Sequence, residues 1–264
     1  MTTQALTLKV TQPRVVRSEW IKFWSLRSTI VTLAVAVALV GGLGLIAAAI
    51  VADGGTLGED GAAPLDSTGA SLAGITFSQL AFGTLGVLFM ASEYSTGMIR
   101  SSLSAVPRRL PVLWGKIIVF AGVAFALSLV AAVLAFSGGQ ALIGDDGASW
   151  SDPGVVRAVI GSAFVLTGTG TLGLALGALL RSVPAAITTL FGVMFLLSTV
   201  IGLLAPESLQ DDVVKFTPAT AAASAMAVTT GPDVLAPAAG FWVFTAYIAL
   251  ATAAAAWRLK RADA

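Results

Sequence analysis

The chain alternates between long apolar stretches and short polar ones. Six stretches contain no charged residue, and each is longer than the roughly 20 residues with which a helix crosses the hydrocarbon core of a membrane. The pattern therefore predicts an all-α integral membrane protein, with six transmembrane helices in a single domain over 1–264. The uncharged stretches are 28–52, 67–92, 117–144, 158–180, 182–206 and 234–257. The predicted spans are about 28–52, 67–92, 112–137, 155–180, 184–205 and 236–257.

A helix is also predicted before the first span. Residues 14–27 read RVVRSEWIKFWSLR. At 100° per residue, Trp20, Phe23 and Trp24 share one arc, while Lys22 faces away from it. A basic amphipathic helix with aromatic residues next to a span is typical of one that lies in the membrane interface. The alternative is a short cytoplasmic flank with anchoring aromatic residues.

The segment 206–235, before the last span, contains a weakly apolar run that is too short to cross. It includes a proline and many small and hydroxyl residues, FTPATAAASAMAVTTGP. We interpret it as a re-entrant or interfacial segment on the outer side. Spans four and five should form a tight hairpin at Arg181, because Pro184 suits the first turn of a helix. Gly173 and Gly177 form a GxxxG pattern, which serves packing within the subunit or a dimer interface.

Charge is scarce and unevenly placed. Charged residues are 11% of the chain, against about 25% in ordinary soluble domains. If the N-terminus is cytoplasmic, all of the 15 lysines and arginines except Arg157 and Lys215 fall on the inner side. The positive-inside rule therefore predicts a multi-pass membrane protein with both termini in the cytoplasm, and 93–110 as the first cytoplasmic loop.

The sequence offers few residues for catalysis or for binding a metal or a phosphate. The chain has no cysteine and no histidine, which removes the usual general base and most transition-metal ligands. Gly115-Lys116 is followed by Ile117, so the phosphate-binding GxxxxGK[ST] pattern is absent. We expect no enzyme activity, no cofactor and no metal in this chain.

The six uncharged stretches carry no ionisable residue, and Lys116 comes directly before the third of them, 117–144. Ion-coupled carriers usually hold such residues at membrane depth, so a secondary carrier is disfavoured. The deepest strongly polar group is Gln79 in span two. It either forms a hydrogen bond between helices or contacts a molecule in the translocation path.

The first cytoplasmic loop has a distinctive order of residues, EYSTGMIRSSLSAVPRR over 93–109. A short helix is predicted to start near Thr96 or Gly97 and to stop at Pro107. This stretch resembles the first inner loop of bacterial ABC transporter permeases of the type-2 exporter class. SEWIKFWSLRST, over 18–29, resembles the amphipathic connecting helix of the same family. The simpler reading is a basic loop whose arginines only fix the topology.

The resemblance implies a coupling helix that seats in a groove of a separate ATPase subunit. Its apolar residues would enter the groove, its arginines would surround them, and Glu93 could pair with a basic residue of the connecting helix. The residues that the resemblance assigns to coupling are Glu93, Thr96, Gly97, Met98, Ile99, Arg100, Leu103, Arg108 and Arg109.

As a whole, the resemblance implies the permease subunit of an ATP-driven exporter in a bacterial cell membrane. ATP and Mg²⁺ would bind to a cytoplasmic ABC ATPase partner, and a second permease, identical or paralogous, would complete the pore. Membrane lipids are the remaining expected partner, and no nucleic acid is expected. The alternative is a non-transporting scaffold or sensor subunit that docks a cytoplasmic protein. The sequence does not indicate a substrate.

Overall fold

The computed structural model describes residues 11–55, 66–106, 109–204, 206, 212–229, 231 and 234–261. All regular secondary structure in these ranges is helical. The first half contains α1 (Gln12–Ser25), α2 (Arg27–Ala52), α3 (Ser67–Ser71), α4 (Gly74–Ser95), α5 (Met98–Ala105) and α6 (Leu110–Ile143). The second half contains α7 (Val155–Leu180), α8 (Val183–Phe191), α9 (Leu197–Leu204), α10 (Pro218–Met226) and α11 (Pro237–Arg261).

Six helical segments within the described ranges are long and apolar enough to cross a membrane, which confirms the predicted number of spans. They are Arg27–Ala52, Ser67–Ser95, Leu110–Asp146, Val155–Leu180, Val183–Leu204 and Pro237–Arg261. The third helix is longer than the predicted span 112–137, because its apolar sequence continues to Ile143 before the first acidic residue, Asp145. A π-helical turn, Gly192–Leu196, joins α8 to α9 within the fifth segment.

The helices α4 and α7 pack with their backbones close together, and glycines make this possible. A Cβ atom at Gly86 would lie 1.8 Å from the carbonyl oxygen of Gly170, and one at Gly173 would lie 2.4 Å from that of Gly83. Small residues permit such close approach between helices in a membrane. The GxxxG pattern at Gly173 and Gly177 therefore serves packing within the chain.

The hairpin between the fourth and fifth spans forms as predicted. The helix α7 ends at Leu180, α8 begins at Val183, and Arg181 adopts a left-handed conformation with φ 55°. Arg181 lies over the Tyr94 ring at the end of α4, with 5.2 Å from Cζ to the ring centroid. This turn therefore lies at the same end of the bundle as the first predicted cytoplasmic loop.

The C-terminal end of α11 joins that group. Arg109 Nη1 donates to the carbonyl oxygen of Leu259 at 3.5 Å, and Arg258 donates to that of Leu179. The predicted inner segments thus meet at one end of the bundle, which we name the basic end. The loops after α2 and α6, together with α10, lie toward the opposite end.

Candidate functional site: a buried ion quartet beside a short helix

The centre of the basic end is the side chain of Lys116, which is fully buried. Its ammonium donates to Glu19 Oε2 at 2.8 Å, to Glu93 Oε1 at 2.8 Å and to the carbonyl oxygen of Phe89 at 3.3 Å. It also lies 4.3 Å from the centroid of the Phe89 ring. The expectation that no lysine lies inside a span is wrong here, since Lys116 sits within α6 and points into the protein.

A second lysine completes the cluster from α1. Lys22 Nζ lies 2.9 Å from Glu19 Oε1, 3.2 Å from Glu93 Oε1 and 3.0 Å from Ser102 Oγ. The predicted pairing of Glu93 with a basic residue of the N-terminal helix is therefore present. We name Glu19, Lys22, Glu93 and Lys116 the ion quartet.

The sequence did not identify the face of α1 that packs against the rest of the protein. Val15, Glu19 and Phe23, which are four residues apart, are buried there. Of the predicted aromatic arc, Phe23 is buried, whereas Trp20 and Trp24 are 48% and 38% exposed. The helix also spans Gln12–Ser25 rather than 14–27.

The quartet is electrically balanced, with two carboxylates and two ammonium groups. Taking an ion out of water costs several kcal/mol, which only close, well-oriented partners offset. Burial disfavours the charge of Lys22, yet the hydrogen bonds and charges of Glu19 and Glu93 outweigh it and raise the pKa of Lys22 above 10.5. Glu93 Oε2 is buried and has no hydrogen-bond partner among the described residues. The quartet therefore ties α1, α4 and α6 together through groups that are costly to separate.

The short helix α5 follows α4 after a glycine turn. Gly97 has φ 74°, a left-handed conformation that glycine adopts without steric cost, and the helix begins at Met98. This start agrees with the predicted one near Thr96 or Gly97. The contact between Ser102 and Lys22 links α5 to the ion quartet.

The predicted apolar wedge of α5 is only partly exposed. Met98 is 45% exposed, whereas Ile99 is 3% exposed and packs in the core of the chain itself. Ser101 and Ser104 share the exposed side. The side chains of Arg100 and Leu103, and all of Arg108, lie outside the described residues. Among the described side chains of α5, the exposed ones are therefore one apolar residue, Met98, and two serines.

Gln79 lies far from this site, near the N-terminal end of α4. It is buried, and its Oε1 accepts a hydrogen bond from Thr169 Oγ1 of α7 at 3.3 Å. Of the two predicted roles for Gln79, the structure thus contains the hydrogen bond between helices.

No known protein family model matches this chain, and no curated protein is detectably similar to it.

Proposed function

We propose that this chain is the permease subunit of an ATP-driven exporter, energised by a separate cytoplasmic ATPase that contacts α5. The observation that carries the proposal is the link from α5, through Ser102 and the ion quartet, to three helices of the bundle. The class we propose is the bacterial ABC type-2 exporter, whose first inner loop the sequence 93–109 resembles.

The mechanism follows from the cost of separating buried charges. A force that displaces α5 acts on Lys22 through Ser102, and Lys22 contacts both carboxylates of the quartet. Because separating these groups costs several kcal/mol, the ends of α1, α4 and α6 should move together rather than slide apart. Gly97 would act as the pivot. Such a rigid-body response is one of the common ways in which a contact at one site alters another.

The partner surface would be the exposed side of α5, with Met98 as its apolar contact and Ser101 and Ser104 beside it. The arginines Arg100, Arg108 and Arg109 remain candidates for its basic border. A second permease would pack against exposed apolar faces such as that of α8 and α9. ATP and Mg²⁺ would bind to the partner. The proposal places α1 in the inner interface, 206–235 as an outer re-entrant segment and both termini in the cytoplasm of a bacterium.

The chain suits a cross-linking test because it has no native cysteine. We would introduce Met98→Cys or Ser101→Cys, treat native membranes with a bifunctional maleimide, and identify the product by mass spectrometry. The expected product is a cross-link to a P-loop ATPase. Ser151→Cys is the matched control, because Ser151 is exposed at the opposite end of the bundle. Equal cross-linking at all three positions would contradict the proposal.

A scaffold or sensor could also dock a protein on α5, so ATP turnover is the second measurement. The purified complex should hydrolyse ATP, and Met98→Asp should reduce both retention of the ATPase and turnover by at least tenfold. A charge placed in a desolvated contact commonly costs more than the 1.4 kcal/mol that tenfold represents. Met98→Ala should have a smaller effect. Normal turnover in the Met98→Asp complex would refute coupling through α5.

A further inference from the structure

A cleft of about 600 Å³ opens at the end opposite the ion quartet. It lies between α3 and the start of α4 on one side and α7 and α10 on the other. Its volume falls in the range of pockets that enclose drug-sized molecules, roughly 300–1,000 Å³. Its lining includes Thr68, Leu72, Thr76, Phe77, Ser162 and Met226, of which Thr76 and Phe77 are exposed.

The cleft has an apolar lining with one negatively charged side chain. Asp66 is the only ionisable residue among the described residues that line it. Its Oδ1 accepts a hydrogen bond from the backbone N–H of Gly69 at 2.6 Å. A carboxylate has about four acceptor positions on its two oxygens, so this one bond within the described residues leaves acceptor positions for a ligand. The remaining lining is apolar apart from hydroxyl groups.

The described carboxylates around the cleft outnumber the cations there. Arg157 is a cation beside the cleft, where it donates to the backbone carbonyls of Ala227 and Val228 at 2.9 and 3.3 Å. Lys215 is paired with Asp212 at 2.5 Å. Further described carboxylates at this end are exposed to solvent, and such a field attracts cations. They are Asp53, Asp145, Asp146 and Asp152.

We propose that this cleft binds an amphipathic organic cation. The apolar body would lie against Leu72, Phe77 and Met226, and the positive centre would lie near Asp66. Phe77 is exposed on the cleft wall, and an aromatic face adds attraction for a cation. If the chain is the permease proposed above, amphipathic organic cations would be its substrate class. Binding of the cation to the cleft requires no ATPase.

The test uses the purified full-length chain in an uncharged detergent and follows the fluorescence anisotropy of rhodamine 6G, a cationic dye. Nile red serves as a neutral dye, and fluorescein as an anionic one. We expect rhodamine 6G to bind at least tenfold more tightly than either. Asp66→Asn keeps the cap on α3 but removes the charge, and should weaken rhodamine binding about fivefold, the equivalent of about 1 kcal/mol for an exposed ion pair. Asp53→Asn removes an exposed carboxylate of this end that does not line the cleft, and it should weaken rhodamine binding by a clearly smaller factor.

A second variant tests the cleft itself. Thr76 is exposed on the wall formed by α4, so Thr76→Trp should fill the cleft without disturbing the core. It should abolish saturable rhodamine binding while the unfolding temperature stays that of the wild type. Equal affinity for the cationic and neutral dyes, or equal effects of Asp66→Asn and Asp53→Asn, would overturn the proposal. The dye-binding experiment contains no ATPase, so a negative result would not affect the proposal that α5 couples to an ATPase. Likewise, loss of coupling to the ATPase would not affect the proposal that the cleft binds a cation.

Discussion

Replacing Lys116 with methionine is the most direct test of the ion quartet. Methionine is similar in length to lysine but carries no charge. The change removes two ionic contacts of 2.8 Å and leaves Lys22 as the remaining cation of the quartet. The buried cluster then has one negative charge in excess, and both carboxylates face the position that the ammonium occupied.

Removing one partner of a buried ion pair typically costs about 3–5 kcal/mol, because the other charge stays buried without compensation. We therefore expect Lys116→Met to lower the free energy of unfolding by about 3–5 kcal/mol at pH 7.

The measurement is denaturant unfolding of the purified chain in detergent micelles, with Lys215→Met as the control. That control breaks the exposed pair of Lys215 and Asp212, and an exposed pair contributes less than about 1 kcal/mol. Adding Glu93→Gln to Lys116→Met should restore part of the lost stability, because it removes the excess charge. The reasoning fails if Lys116→Met and Lys215→Met are equally stable, or if Glu93→Gln lowers stability further.

Three further predictions follow from the same structure. Because folding raises the pKa of Lys22, its contribution to stability should be complete below about pH 10.5 and should disappear as the pH rises through the raised value. Unfolding of wild type and Lys22→Met at increasing pH measures it, and a constant difference up to about pH 12 would contradict it. Gly86→Ala should lower the free energy of unfolding by about 1–3 kcal/mol, because its Cβ would meet a backbone carbonyl. Gly122→Ala should leave the free energy of unfolding unchanged, because its Cβ would point into open space. Ser182→Cys should react with an impermeant maleimide only from the cytoplasm and Ser151→Cys only from outside; labelling of both from one side would refute the topology.

The spans and the start of α5 could be predicted from the sequence because they depend on local properties. An uncharged run of more than 20 residues has few alternatives to a membrane helix. Gly97 marks the start of α5, since a left-handed residue between two helices is most easily glycine. The hairpin at Arg181 could be predicted for the same kind of reason, from Pro184 and the shortness of the polar interval.

The ion quartet could not be predicted in full because it depends on which helices are neighbours. Periodicity assigns faces to α1, but it does not identify Lys116 as the residue that α1 packs against. Lys116 directly precedes the uncharged stretch 117–144, but α6 already begins at Leu110, so Lys116 lies within the helix. The sequence did contain a pattern that points to the ion quartet. Glu19 and Lys22 lie three residues apart, and Glu93 and Lys116 flank the same short loop. Two acidic and two basic residues near one end of a membrane bundle indicate that they form ion pairs.

Stability alone does not explain a buried ion quartet, since well-packed apolar residues often replace buried ion pairs without loss of stability. What charges add is a fixed distance and direction between the helices that carry them. The helix α4 carries Glu93 at one end and lines the cleft with Thr76 and Phe77 near the other. Its 22 residues span about 33 Å, and its glycines hold it against the backbone of α7. A displacement of α5 would therefore reach the cleft wall along one stiff helix, which places the two proposals at opposite ends of the same element.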